Sequence, residues 1–263
     1  MRPTVKKDAL SICSMKQPTL SEATNTKLGS LIHGWSIPAE ETCPGASHAC
    51  RLRCYAKRGF FRMPNVERSH QGNYVFSQTP EFADWMISTC RAKFVRIMRV
   101  HVSGDFYDLD YIYKWHLIAQ RSPHTRFYAY TRSWREEELL PALIKLSRYR
   151  NFVLWWSIDR ETGPAPLVEG VRQAYMATDD VDANLCPDDS DLMFRDGHPT
   201  VMKRGNGVLV CPPENGVTEG VTCSKCGICW DKLRRPVWER LVLPTIRGEQ
   251  EILAPELVCA PLP

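Results

Sequence analysis

Seven of the chain's eleven cysteines fall into two groups whose spacing suits metal chemistry. In the first, Cys223-x-x-Cys226-x-x-Cys229 follows Cys211 by a short loop. Two-residue spacers let three thiolates converge from one tight loop, and a remote fourth completes the ligand set of a 4Fe–4S cluster. Pairs of Cys-x-x-Cys also hold zinc, which is the alternative at these four positions, but the third cysteine overlapping the first pair favours the cluster. The second group is Cys43-x6-Cys50-x3-Cys54. Three thiolates on one loop hold a 4Fe–4S cluster with one iron free of protein ligands, the arrangement that lets a substrate or cofactor chelate the metal. A fourth ligand from His48, His33 or Cys90 would instead close the site. Cys13, Cys90, Cys186 and Cys259 stand alone and are expected to be bystanders.

An odd number of cysteines cannot pair completely. The stretch from Met1 to Thr19 carries positive charge but lacks the apolar run of roughly 7–15 residues that secretion needs. The protein is therefore expected in the cytoplasm, where disulfides do not persist. Apolar runs such as Phe152 to Ile158 fall far short of the roughly 20 residues that span a bilayer, so no membrane partner is expected.

The elements that must position these cysteines follow from pattern. At 43% hydrophobic and 24% charged, the chain buries a core and is too apolar for disorder. Leu31 to Ile37 is the first expected strand, stopped by Pro38 and followed by the cysteine loop Glu41 to Tyr55. Helices are expected near Pro64 and at Thr79-Pro80-Glu81, where a hydroxyl cap, a first-turn proline and an acid come in the preferred order. Ile97 to Ser103 is a β-branched strand ending in Gly104-Asp105, and Asp108 caps the next helix. Phe127 to Thr131 is a strand, Ser133 to Glu136 looks like a capping box opening a helix to about Arg148, and Phe152 to Ile158 is an apolar strand with Trp155 and Trp156 on opposite faces. Ala174 to Ala177 is a further candidate strand, and an acidic loop covers Asp179 to Asp191. Alternating strands and helices predict parallel βαβ units. There are too few for a full eight-stranded barrel. The expected fold is α/β, a partial (β/α) TIM-like barrel with a C-terminal cysteine-rich iron–sulfur segment. Its divisions are a polar arm (1–23), the partial barrel with the three-cysteine loop (24–205), a second cluster-binding segment (206–236) and an extended tail (237–263).

Net charge is +4, too mild to announce a nucleic-acid binder. Its distribution says more. From Arg51, Arg53, Lys57 and Arg58 through Arg62 and Arg68 to Arg91, Lys93, Arg96 and Arg99, ten cations face only Glu67, Glu81 and Asp84. With Tyr55, Phe60 and Phe61 nearby, this Arg51 to Arg99 region is a candidate nucleic-acid surface, with cations for phosphates and rings for stacking. Its plainer role is to neutralise an anionic thiolate cluster. The acidic run lacks calcium-loop spacing. Walker loops, Gly-x-Ser-x-Gly elbows and His-Glu-x-x-His helices are absent, which removes ATPase, serine hydrolase and zinc protease readings.

The order of strand, three-cysteine loop ending Cys54-Tyr55, helix, and strand ending Ser103-Gly104-Asp105 resembles the core of the radical S-adenosylmethionine enzymes. That family's own loop is spaced Cys-x3-Cys-x2-Cys. The resemblance implies S-adenosylmethionine as a cofactor, held by Ser103, Gly104 and Asp105 and by Ser157 and Asp159 at the end of a later strand. More of the chain, from Asn25-Thr26-Lys27-Leu28-Gly29 through Thr42-Cys43-Pro44-Gly45-Ala46 and His101 to Tyr107 to the Cys211–Cys229 segment, is similar to the phage and plasmid "gene product eighty-eight" family. This implies a mobile-element origin. The expected function is an iron–sulfur protein, a radical-SAM-like enzyme with one open and one closed cluster and a separate reductant. The alternative is a non-catalytic iron–sulfur or zinc protein that binds nucleic acid or a protein partner.

Overall fold

A computed structural model describes residues 18–22, 26–195, 204–205, 208–214 and 220–232. Most of the expected arm (1–23) and all of the tail (237–263) lie outside the described residues, as do Cys13 and Cys259.

The strand–helix rhythm produces β1 (Ile32–Trp35), β2 (Ile97–Val100), β3 (Arg126–Thr131), β4 (Phe152–Ile158), β5 (Arg172–Ala177) and β6 (Leu192–Arg195). They lie side by side in chain order, each parallel to the next. A sheet wound in one direction keeps its crossovers on one side, and this one curls into a half-barrel. The helices are α1 (His48–Arg53), α2 (Pro64–Ser77), α3 (Phe82–Ala92), α4 (Leu109–Arg121), α5 (Leu140–Ser147), α6 (Asp180–Ala183) and α7 (Cys223–Cys226). Among the described residues, no helix is long and apolar enough to cross a membrane.

The period of two along each strand sorts the core into two faces. On the helix side, Trp35, Met98, Val100, Phe127, Leu154 and Trp156 pack with Phe82, Met86, Trp115, Ile118, Leu143 and Leu146. Each such side chain contributes about 1.5–3 kcal/mol of burial. On the inner side, Ile32, Ile97, Tyr128, Val153, Trp155, Ala174 and Leu192 pack against Leu28, Cys211, Ile228 and Trp230. Trp155 and Trp156 thus face opposite ways, as alternation requires.

The cover of the inner face is the cysteine-rich segment. Its backbone is pinned from several sides: Cys223 N donates to Lys27 O at 2.9 Å, Ser224 N to Leu28 O at 3.0 Å, and Cys211 N to Met193 O at 2.9 Å. Strand side chains supply more, with Trp155 Nε1 donating to Cys229 O at 2.9 Å and Arg172 Nη1 to Ile228 O at 2.7 Å. Gly29, at φ 83°, permits the approach, since a Cβ there would stand 2.2 Å from Ser224 Oγ. At the two borders of the sheet the chain adds isolated bridges, Ser21 to Gly34 of β1 and Val210 to Met193 of β6.

Three local expectations differ from the structure. Ser133–Arg135 makes only a 3-10 turn: the Ser133 hydroxyl is buried without a hydrogen-bond partner and caps no helix, and α5 waits until Leu140, with Pro141 in its first turn. The acidic loop contains α6, capped by Asp179, which accepts from Asp182 N at 2.8 Å. β6 is a sixth strand beyond the expected set, its four residues too short to show alternation.

His101 follows β2 with φ 64° and is buried, its Nε2 sharing a hydrogen bond with Tyr111 Oη at 2.9 Å and its ring edge-on to Phe106. Burial holds the imidazole neutral and lowers its pKa to about 3. An unfolded histidine titrates near about 6.5. Between those values the unfolded chain binds the proton and the fold does not, so stability falls as pH drops below about 6.5. His101→Asn, which tolerates positive φ and does not titrate, is expected to reduce that decline. Denaturant melts between pH 7 and 4.5 should show wild type losing up to about 1.4 kcal/mol per pH unit relative to the variant; parallel curves would refute the assignment.

Candidate functional site

The loop leaving β1 turns back across the carboxyl ends of the strands. Ile37 N donates to Ser103 O at 3.1 Å, and Gly104, at φ 87°, lies beneath Ile37 and Thr42, where a Cβ would come within 2.4 and 2.7 Å. Gly45 rests on β3's exit, where a Cβ would stand 2.0 Å from the Arg132 carbonyl oxygen. Arg135 Nη1 donates to Gly45 O at 2.8 Å and Arg51 Nη2 to Cys43 O at 3.2 Å. Ser47 caps α1, accepting from Cys50 N at 3.0 Å, while its own hydroxyl donates to Asp159 Oδ2 at 2.6 Å.

Arg132 joins the acids that end two neighbouring connections. Its backbone N donates to Asp105 Oδ2 at 2.8 Å, and its Nη2 and Nε reach Asp159 Oδ2 at 3.0 and 3.2 Å. The other oxygens are also engaged: Asp105 Oδ1 accepts from Phe106 N, and Asp159 Oδ1 from Glu161 N and Thr162 N. Burial lifts the Asp105 carboxyl to about 6 against the pull of these donors. Of the five residues expected to hold a cofactor, Asp105, Asp159 and Gly104 therefore brace the cysteine loop. Ser103 Oγ is buried without a hydrogen-bond partner. Ser157 is half-buried on the inner face; its carbonyl accepts from Trp134 Nε1.

Cys43, Cys50 and Cys54 stand within electrostatic reach of one another and of Asp105. Burial pushes the Cys43 thiol up to about 12, and also raises Cys50, which Arg132 pulls back down. Two of the three expected fourth ligands are elsewhere. Cys90 is in the helix-side core beside Thr125, and His33 lies among the charges of Lys93 and Glu22. His48 opens α1 and is exposed.

The second group gathers on the inner face. Cys223 and Cys226 sit on the single turn of α7, closed by Gly227 at φ 75°, with Cys229 three residues on and Cys211 close enough to interact with both Cys223 and Cys229. Tyr130 Oη donates to Cys229 Sγ at 2.8 Å, and burial pushes that thiol up to about 12. Lys27 pairs with Glu214 at the edge of this group. Among the described residues, no group of three or more His, Cys, Asp or Glu side chains is placed to hold a metal ion.

The basic region from Arg51 to Arg99 is divided by the fold. Arg51 to Arg68 belong to the segment at the strands' carboxyl ends, with Leu52, Tyr55 and Phe60 exposed, whereas Arg91, Lys93 and Arg96 cluster where α3 leads into β2. Arg99 points to the inner face. Ser47 and Arg132 were missed by sequence reasoning, although a serine three residues before Cys50 is a helix-cap pattern.

Fold and site define an α/β half-barrel protein with one cysteine group on a loop over the strand ends and another in the segment covering its inner face. The chain belongs to the Gene product 88 family, whose match spans residues 11–232 and so contains all seven grouped cysteines. Gene 88 protein of Mycobacterium phage L5 is 24% identical over 207 residues, covering 72% of this chain and 77% of that protein. Its counterpart in Mycobacterium phage D29 is 25% identical over 211 residues, covering 72% and 78%. No solved structure matches. These relatives lend no support to the resemblance to radical S-adenosylmethionine enzymes.

Gly45→Ala tests how the loop is seated. Overpacking against fixed backbone is expected to destabilise the fold by about 1–3 kcal/mol and to speed labelling of Cys50 and Cys54 by a thiol reagent. Gly72→Ala, in open space on α2, should do neither. Equal labelling rates in both variants would show that the loop does not depend on this contact.

Proposed function

We propose that this is an iron–sulfur protein of a phage-type mobile element, with a closed 4Fe–4S cluster on Cys211, Cys223, Cys226 and Cys229 and an open one on Cys43, Cys50 and Cys54. The observation that carries the reading is the gathering of seven thiols into two groups, on the inner face and at the strand ends of one half-barrel. Parallel α/β sheets bind ligands at the carboxyl ends of their strands. Overlapping Cys-x-x-Cys pairs with a remote fourth cysteine favour the cluster over zinc, which the same four residues could also hold. Buried thiols with raised pKa values become thiolates only when a cation takes the proton's place, which couples metal binding to folding.

When bound at the loop, a cluster with an open iron supplies a chelating position and one-electron reduction for S-adenosylmethionine-type chemistry. The chain's own residues prepare that place. Ser47, Asp159 and Arg132 hold α1 and its Cys50 against the sheet, and the Arg132 guanidinium offsets negative charge beside Cys50. The Ser103 hydroxyl, buried and unpartnered, is available to a ligand at the strand ends. Anaerobically purified protein is expected to be brown and to contain iron and sulfide. After reduction, S-adenosylmethionine should change its electron paramagnetic resonance signal and yield 5′-deoxyadenosine. Colourless protein with stoichiometric zinc would refute the iron reading; iron with neither change would refute the enzymatic one.

A second reading is favoured by the exposure of Phe60, at 80%, and of Leu52 and Tyr55 among Arg51, Arg53, Lys57, Arg58 and Arg62. Rings interleaved with cations suit single-stranded nucleic acid, stacked on bases and tracking phosphates. Gel-shift titrations should then show affinity that falls steeply with salt and weakens with Phe60→Ala. Absence of a shift at low salt would eliminate this role.

A further inference from the structure

Arg99 is a cation on the inner face for which the described residues offer no carboxylate. Its Nη2 donates to the Tyr55 hydroxyl at 3.1 Å, its guanidinium lies 5.7 Å from the Tyr130 ring centroid, and its Nε is buried without a hydrogen-bond partner. The ionisable groups facing it are Tyr55, Tyr128, Tyr130, Cys223, Cys229 and the like-charged Lys27. Burial holds the Tyr128 and Tyr130 phenols well above their usual range, so neither supplies an anion near neutral pH. The contrast with Arg132, which has Asp159 at 3.0 Å, shows how this fold treats a buried cation when it supplies an anion. Arg99 is half-buried, with its Nε shut off from water and unpartnered, so its charge is only partly hydrated. Arg99 therefore calls for an anion that is not a side-chain carboxylate, and Cys223 lies on the side where one would sit.

We infer that Arg99 is the internal counter-charge of the cluster on Cys211, Cys223, Cys226 and Cys229, and that it raises that cluster's reduction potential. The inference rests on the iron–sulfur reading above. A cluster held by four thiolates is an anion, and it gains a further negative charge on accepting an electron. A fixed positive charge beside it stabilises the reduced form more than the oxidised one. Tyr130 adds a hydrogen bond to Cys229 Sγ in the same sense, since hydrogen bonds to the sulfurs set cluster potentials. Reduction here is transfer of one electron from an external donor; no bond is made or broken. Tyr55 extends the link. It follows Cys54 directly, and its hydroxyl, which also donates to Val102 O, accepts from Arg99, so a single residue joins the loop group to the cation that faces the other group.

The test uses full-length protein in which Cys43, Cys50 and Cys54 are alanine, so that any remaining cluster is the inner one. Dithionite titrations followed by electron paramagnetic resonance compare Arg99, Arg99→Met and Arg99→Lys, with iron and sulfide measured on each. Arg99→Met is expected to keep its iron while the reduction equilibrium moves at least tenfold toward the oxidised form, about 59 mV for one electron. Arg99→Lys should restore most of the shift. Should Arg99→Met not fold, Arg99→Gln makes the same comparison without the charge. Full iron content with an unchanged midpoint in the neutral variant overturns the inference and leaves the cluster standing. A protein with Arg99 intact that holds no iron overturns the cluster reading itself.

Discussion

A parallel sheet wound in chain order places its crossover helices on one side, and its other side must still be shielded from water. That requirement shapes much of this molecule. Tyr128, Val153 and Trp155 present apolar surface inward where no crossover helix lies. The cover is a stretch with one helical turn, held by backbone hydrogen bonds to residues 27 and 28 and by Trp155 and Arg172 donating to its carbonyls. A segment with so little internal secondary structure is ordered by what it touches, and four of the residues it brings are cysteines. Cover and candidate chemistry are therefore the same piece of chain.

At the strand ends the logic is electrostatic. Asp105 and Asp159 are buried beside thiols, where further negative charge is unfavourable, and Arg132 resolves this by donating to one through its backbone and to the other through its guanidinium. Ser47 then ties the cysteine loop to the same cluster of charges. The loop's position is a property of three strands acting together, because its contacts come from the exits of β2, β3 and β4.

What the sequence made legible follows from how local each signal is. The strand–helix alternation, the Asp108 cap and the opposite facing of Trp155 and Trp156 depend on neighbours a few residues away, and they stand in the structure as expected. Arg132, Tyr55 and Arg99 act through partners 27 to 47 positions distant, which no periodicity encodes. Asp105 and Asp159 were recognised as special, but their bonds to Arg132 and Ser47 were not foreseen, since a carboxylate at a strand end has the same sequence whether it meets a ligand or an arginine. The helix expected at Ser133 is absent because the Ser133 hydroxyl, buried without a hydrogen-bond partner, provides no cap.

Both borders of the half-barrel are occupied by the chain itself, Ser21 bridging to Gly34 and Val210 to Met193. An uncovered border offers a row of unsatisfied peptide groups to any extended polypeptide that drifts past, and such rows are where sheets recruit strangers and grow into aggregates. Here each border already has a short length of self laid against it. A strand added at either border, or the sheet of a second copy, would meet that native bridge first and would have to displace it to pair along the full length of β1 or β6.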